Sequence, residues 1–223
     1  MSMIVTRDLT KSYQRGSEAV HALRGISLTV DAGEFVSLVG PSGSGKTALL
    51  TILGCLESPT SGSFSLDGIP LSGLGDRERV GVRRNLIGFV FQQFFLIPTL
   101  TVRENIELPL MFAKKPVDDE KTRSILAMVG LESRGDHLPH QISGGEMQRA
   151  AIGRALIHDP RIILADEPTG NLDSENAERV YHIFRELADQ KITLLVVTHN
   201  HELAGRADRI IRIKDGLIIP EVT

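Results

Sequence analysis

Eight residues, Gly40-Pro41-Ser42-Gly43-Ser44-Gly45-Lys46-Thr47, constrain this chain more than any other stretch. They follow a short apolar run, Phe35-Val36-Ser37-Leu38-Val39, and lead into Ala48-Leu49-Leu50-Thr51-Ile52-Leu53. The first run reads as a buried strand and the second as the start of a helix. The pattern G-x-x-x-x-G-K-[ST] between a strand and a helix is a P-loop. Its glycines let the backbone curl so that successive N–H groups point inward at phosphate oxygens. The helix N-terminus adds partial positive charge. Lys46 is then expected to reach the β- and γ-phosphates of a nucleotide, and the Thr47 hydroxyl to ligate Mg²⁺.

Such a loop needs a parallel sheet around it, and the rest of the chain supplies one. Ile162-Ile163-Leu164-Ala165 ends at Asp166, and Leu194-Leu195-Val196-Val197 ends at Thr198. Continuous apolar runs of this length suit strands covered on both faces. Between them, Glu175 to Gln190 places Val180, Ile183, Phe184 and Leu187 on one helical stripe. Asp118 to Gly130 turns Ile125, Leu126 and Val129 inward, with Gly130 at the position that ends a helix. Strand–helix alternation predicts an α/β fold. Residues 3–8, 20–30 and 62–67 alternate instead and sit near turns, which predicts an antiparallel part flanking the main sheet. Residues 68–86 read as surface loop and a short helix. No linker divides the chain, so residues 1–223 are expected to form a single domain.

Two further segments carry chemistry. Asp166-Glu167 follows a buried strand, as in the Walker B pattern, where the first carboxylate holds the Mg²⁺ shell. Pro168 biases Glu167 out of the helical region. Its carboxylate can then point elsewhere and polarise a water for attack on the γ-phosphate. Ser143-Gly144-Gly145-Glu146 opens a helix running to about Asp159, and Ser-x-x-Glu is a capping box. A cap does not ask for two glycines. Gly-Gly at a helix N-terminus exposes backbone N–H groups and makes a second phosphate site.

Ile142-Ser143-Gly144-Gly145-Glu146-Met147-Gln148-Arg149 resembles the LSGGQ signature of ATP-binding-cassette (ABC) ATPases, and the order of motifs along the whole chain matches that family. The resemblance implies a P-loop NTPase fold with a mainly parallel core sheet, an N-terminal antiparallel β subdomain and a helical signature subdomain over roughly residues 93–158. It implies ATP and Mg²⁺ as ligands and ATP hydrolysis as the activity. By resemblance, Gln92 is the Q-loop glutamine that senses Mg²⁺ and the γ-phosphate, with Gln93 as its neighbouring competitor. Asn171-Leu172-Asp173 is the D-loop. His199 is the H-loop histidine, able to donate to the γ-phosphate and orient Glu167. Tyr13 is the aromatic that stacks on adenine. Ala48 stands where the family often has a second hydroxyl for the α-phosphate, and Ile142 replaces the signature leucine. The family also implies a head-to-tail, ATP-dependent homodimer, with Ser143, Gly144, Gly145 and Asp173 facing the ATP on the other copy's P-loop. A carboxylate introduced as Gly145→Asp is then expected to repel the γ-phosphate and separate the dimer.

Phe89-Val90-Phe91-Gln92-Gln93 and Ala165-Asp166-Glu167-Pro168-Thr169-Gly170-Asn171-Leu172-Asp173 resemble the LolD/MacB/FtsE branch, in which Gly-Asn-Leu-Asp replaces the Ser-Ala-Leu-Asp usual in importers. That branch implies a separate FtsX-like integral membrane permease as partner. The output is export or lipoprotein release, or alternatively FtsE-like signalling in cell division without transport. The run Phe94 to Leu100, with Pro98 inside it, is expected to contribute an apolar groove for a helix of that permease.

Composition fits this reading. The net charge of −3 gives no electrostatic case for nucleic acid as a partner. The single cysteine, Cys55, excludes an intrachain disulfide and a cysteine zinc cluster, and reads as packing. No run reaches the ~18–20 apolar residues that span a bilayer, and no secretory leader is apparent at the start. The expectation is a soluble, cytoplasmic protein, peripheral on the inner face of the cell membrane through the permease. His137 with His140, and His199 with His201, lack the further ligands of a transition-metal site.

Overall fold

The computed structural model describes residues 1–16, 18–200 and 204–219. Residue His201, half of one short-spaced histidine pair, lies outside the described residues. The N-terminal part is an antiparallel sheet of β1 (Ser2–Arg15), β2 (Glu18–Asp31), β4 (Ser61–Leu66) and β5 (Ile69–Pro70), in the order β2-β1-β4-β5. In β2, Leu23, Ile26, Leu28 and Val30 are buried while Arg24, Ser27, Thr29 and Asp31 are exposed. That is the alternation of a strand with one face on the core. β1 and β2 run well past the expected 3–8 and 20–30, because the hairpin continues outward as a ribbon pairing Tyr13 with Val20 and Gln14 with Ala19. These outer residues are exposed, so no hydrophobic pattern marked them.

The second sheet contains β3 (Phe35–Val39), β6 (Ile87–Phe91), β7 (Ile162–Asp166), β8 (Thr193–Val197), β9 (Arg209–Lys214) and β10 (Leu217–Ile219), in the order β10-β9-β3-β8-β7-β6. All neighbours are parallel except β10, which pairs antiparallel with β9. Its inner strands β3, β7 and β8 are almost wholly buried because both faces are covered, whereas β9 alternates, with Arg209, Arg212 and Lys214 exposed. Phe35, Ile163, Ala165, Leu194 and Val196 pack into one core, together with Val180, Ile183, Phe184 and Leu187 of α6 (Ser174–Asp189). Val36, Leu38, Ile162, Leu164, Leu195 and Val197 pack into the other, with Leu49, Ile52 and Leu53 of α1 (Lys46–Leu53) and the buried face of the antiparallel sheet.

Residues 68–86 end in an eleven-residue helix, α2 (Asp76–Leu86), none of whose residues is buried. Between β6 and β7 lie α3 (Val102–Phe112), α4 (Asp119–Met128) and α5 (Gly144–Leu156). Ile125, Leu126 and Val129 are buried, and Gly130 takes the left-handed φ of 64° that ends α4. α5 stops three residues short of Asp159, which itself has a φ of 58°. No described helix is long and apolar enough to cross a membrane.

Candidate functional site

The sheet order decides which loops meet. β3, β8 and β7 are adjacent and parallel, with Leu38 level with Val197 and Val197 level with Asp166. Their C-terminal ends therefore carry the Gly40–Thr47 loop, Thr198-His199 and Asp166-Glu167 side by side. Open crevices at the carboxyl ends of a parallel sheet are where such folds bind ligands. A cavity of about 260 Å³ lies there, lined by the loop from Ser42 to Ala48 and by Asp166, Glu167 and His199.

The loop is wound around Lys46. Its ammonium donates to the carbonyls of Gly40 at 2.8 Å and Pro41 at 2.9 Å. Burial pulls the Lys46 pKa down, while Glu167 and Asp166 oppose that shift. Gly45 is the N-cap of α1 at a φ of 105°, and a Cβ there would lie 2.4 Å from the Ala22 carbonyl oxygen. Only glycine fits both demands. No side chain caps α1. Its first residues, Lys46 to Ala48, line the cavity, and the free N–H groups of a helix start are what an anion site requires.

The Thr47 hydroxyl donates to Asp166 Oδ2 at 3.2 Å. A hydroxyl and a carboxylate beside a phosphate cradle form the hard-oxygen set that suits Mg²⁺, so the residues present fit that ion. Burial pushes the Asp166 carboxyl up, and its hydrogen bond from Thr47 pulls it back.

Glu167 sits at a φ of 47°. Pro168 does exclude the right-handed helical region, but the residue enters the left-handed one, a strain of about 1–2 kcal/mol. The backbone N–H of Glu167 donates to the Val197 carbonyl at 2.9 Å, which holds it there. One carboxylate oxygen accepts from the backbone N–H of His199 at 3.2 Å. The other lies 2.9 Å from His199 Nε2, off the line of a hydrogen bond. Burial raises the Glu167 pKa, and the facing His199 lowers it. Glu167 and His199 are thus already a pair.

Other expected site residues lie elsewhere. Gln92 does not reach the Thr47–Asp166 pair. Its Nε2 donates to Asn171 Oδ1 at 3.1 Å, and its carbonyl accepts from Asn171 Nδ2 at 3.1 Å. It lines a neighbouring cavity of about 540 Å³ that Glu167 and His199 share. Tyr13 does not line the phosphate cavity. Its hydroxyl donates to Glu57 at 2.8 Å, and Lys11 Nζ sits 4.9 Å above its ring. Desolvation, then Glu57, raises its pKa to about 12.

Ser143, Gly144, Gly145 and Asp173 lie outside the phosphate cavity of their own chain. Ser143 caps α5 by accepting from Glu146 N, and Glu146 returns a carboxylate to Ser143 N at 2.8 Å. That bond, with Arg134 beyond it, holds the Glu146 pKa at about 2. Ser143 is exposed and Gly144 half-exposed. Gly145, however, is buried, and a Cβ there would lie 2.0 Å from Asn176 Oδ1 in the same chain. Gly145→Asp would therefore collide with its own α6 before it repelled any phosphate, which corrects the sequence expectation.

A third feature assembles from α2, β6, α3 and α5. An apolar groove of about 580 Å³ is floored by Phe89, Phe91, Phe95, Pro109 and Phe112, with Arg83, Arg84 and Arg154 at its edge. Phe95 is 59% exposed and contacts Phe91 edge-on at 5.5 Å. Leu96, by contrast, packs against the core. So the Phe94–Leu100 run contributes Phe95, while the strand pair Phe89/Phe91 and the α3 end supply the rest. The i, i+2 spacing of Phe89 and Phe91 was the available signal for a shared strand face. Among the described residues no cluster of His, Cys, Asp and Glu is arranged to hold a metal, and Cys55 is buried.

Comparison with known proteins agrees with this geometry. Residues 23–170 match the family model described as ABC transporter. The chain is 50% identical over 213 residues to an ABC transporter ATP-binding protein of Thermotoga maritima, covering 95% of this chain and 91% of that protein. It is 44% identical to the ABC transporter ATP-binding protein YknY of Bacillus subtilis, covering 98% and 96%. It is also 48% identical to a macrolide export ATP-binding/permease protein MacB of Chlorobium phaeobacteroides, but spans only 33% of that protein's length. Among solved structures it resembles the dimeric ATP-binding cassette MJ0796 in a post-hydrolysis state with ADP and Pi, at a TM-score of 0.90 and 44% identity over 98% of this chain and 97% of that one. The chain belongs to the ABC transporter family, as one of its ATP-hydrolysing cassettes with a P-loop fold.

Proposed function

We propose that this chain is the ATP-hydrolysing motor subunit of an ABC system that drives a separate, FtsX-like membrane permease in export or lipoprotein release. The observation that carries the reading is the meeting of Thr47–Asp166, Glu167–His199 and the Lys46 loop at one sheet edge. In this reading residues 1–223 form one ATPase domain, with residues 93–158 as its helical part. Lys46 and the first-turn N–H groups of α1 hold the phosphates. Thr47 and Asp166 hold Mg²⁺, which when bound neutralises charge on the β- and γ-phosphate oxygens. Glu167 accepts the proton of the attacking water, and His199 fixes the carboxylate's direction and meets the γ-phosphate. Gln92, now bonded to Asn171, turns toward Mg²⁺ and the γ-phosphate when ATP is present. Tyr13 stacks on adenine once its ring leaves Lys11.

Two copies pair head to tail, each placing Ser143, Gly144, the N–H of Gly145 and Asp173 against the other's ATP. Self-complementary pairing of this kind is a two-fold dimer. The MacB relative's name joins ATP-binding and permease parts, and this chain matches a third of it. In this reading the permease is a partner docked in the Phe95 groove, with the ATPase on the cytoplasmic face of the membrane.

Steady-state hydrolysis tests the chemistry. Glu167→Gln should lower kcat by about 10²–10⁴ with nucleotide affinity retained, the range of a general base. Near-normal turnover by Glu167→Gln protein removes Glu167 from that role.

A further inference from the structure

Asn176 is the third residue of α6, half-exposed, at a position where an asparagine gains nothing from helix propensity. Its bonds run in two directions. Toward the D-loop, its backbone N–H donates to Asp173 Oδ1 at 2.8 Å, and its Nδ2 donates to Asp173 Oδ1 at 3.1 Å and Oδ2 at 2.9 Å. Toward α5, its Oδ1 accepts from Arg149 Nη1 at 3.2 Å. Arg149 is itself buried, and its Nε donates to the Val129 carbonyl at 3.0 Å. The Gly145 Cα packs so closely on the Asn176 side chain that a Cβ would meet Oδ1 at 2.0 Å, Cγ at 2.3 Å and Cβ at 2.9 Å.

An ordinary N-cap asks only for backbone donors. Here the Asp173 carboxylate is held by a side-chain amide as well, and the same amide is bonded to the signature helix. The chemistry explains the residue type. An amide can donate to a carboxylate at one end and accept from a guanidinium at the other. Aspartate would only accept, and serine has a single oxygen for both tasks.

We propose that Asn176 is a positioning residue that clamps the Asp173 turn to the first turn of α5, so that the two surfaces offered to a partner copy move as one body. The assignment rests on the head-to-tail dimer proposed above. It also gives Gly145 a role within its own chain: its missing Cβ makes room for the clamp.

The test uses the full chain carrying Glu167→Gln, which accumulates the ATP-bound state, with and without a second substitution. Asn176→Ala removes both arms of the clamp. Asn176→Asp keeps the size and an acceptor for Arg149, suits a helix N-terminus, and replaces the two side-chain bonds to Asp173 by repulsion while the backbone bond stays. Fluorescent-ATP binding to the monomer reports folding and the P-loop, and light scattering reports ATP-dependent pairing. Both variants should bind nucleotide within about twofold of the parent, yet need about tenfold or more protein to pair, as loss of hydrogen bonds to a charged group implies. The steric arm is read by Gly145→Ala, whose pairing defect should be relieved in part by adding Asn176→Ala. Normal pairing by Asn176→Asp and Asn176→Ala overturns the proposal, as does a Gly145→Ala defect that Asn176→Ala leaves untouched. If the Glu167→Gln parent itself never pairs with ATP, the dimer reading has failed and the proposal fails with it.

Discussion

Phe95→Ser should separate the ATPase from its membrane partner while leaving the ATPase nearly intact, and the structure sets the scale of both effects. Phe95 is 59% exposed, so under half of its side-chain burial is at stake. Full burial of a Phe is worth about 1.5–3 kcal/mol, and its edge contact with Phe91 adds a fraction of that; the loss is about 1 kcal/mol. For a chain of this size that lowers Tm by about 2–4 °C. The residue sits at a φ of 48° and its carbonyl accepts from Arg154 Nη1 at 2.5 Å, a backbone bond that serine retains. Phe95 is not among the described residues that line the phosphate cavity, so basal turnover should stay within a few-fold.

At the proposed docking interface the same ring would act as an aromatic anchor, worth about 2–4 kcal/mol when truncated. That is a loss of about 30- to 1,000-fold in affinity for the permease. Co-purification with the co-expressed permease, and stimulation of ATPase by it in vesicles, should both disappear. Leu96→Ser is the contrasting control. Leu96 packs on the core, so a serine there should cost about 2 kcal/mol or more and act through folding. Full coupling by folded Phe95→Ser protein would refute the groove assignment.

Lys46→Ala should lose ATP binding itself, measured by fluorescent-nucleotide titration, because the ammonium at the centre of the loop is removed; wild-type affinity would contradict the assignment. Glu146 gives a pH signature. Its folded pKa of about 2 lies below the ordinary 4.5, so its stabilising contribution is complete above 4.5 and fades as pH falls toward 2. Glu146→Gln should therefore lower Tm at neutral pH and converge on the wild type in that acid window.

Three strands of the parallel sheet, β3, β7 and β8, and the P-loop were legible because apolar runs covered on both faces leave no alternation to misread, whereas β6, β9 and β10 went unread. Asp166, Glu167 and His199 could be placed because each follows such a run. The φ of Glu167 was half legible, since Pro168 says only which region is closed. Three features were not. The groove draws aromatic residues from β6, α3 and the segment between them, and no single stretch carries its pattern. Gln92 turns to Asn171, a pairing across 79 residues that spacing cannot reveal. The steric demand on Gly145 within its own chain was the third, because Gly-Gly at a helix start does not say what packs against it. The steric demand comes from Asn176, on a helix that only the fold brings alongside.

The central claim, a nucleotide site completed by a second copy, is tested most directly by the mass of the Glu167→Gln protein in solution with and without Mg-ATP. The account predicts a monomer without nucleotide and twice that mass with it. Adding Gly144→Asp should restore the monomer. Gly144 is half-exposed and its nearest side-chain atom to a new Cβ is Phe94 at 3.8 Å, so an acidic residue is accommodated there and suits the helix N-terminus. In the proposed dimer the added charge would face the partner's phosphates. A mass indifferent to ATP, or an ATP-induced dimer that persists with Gly144→Asp, would contradict the composite site.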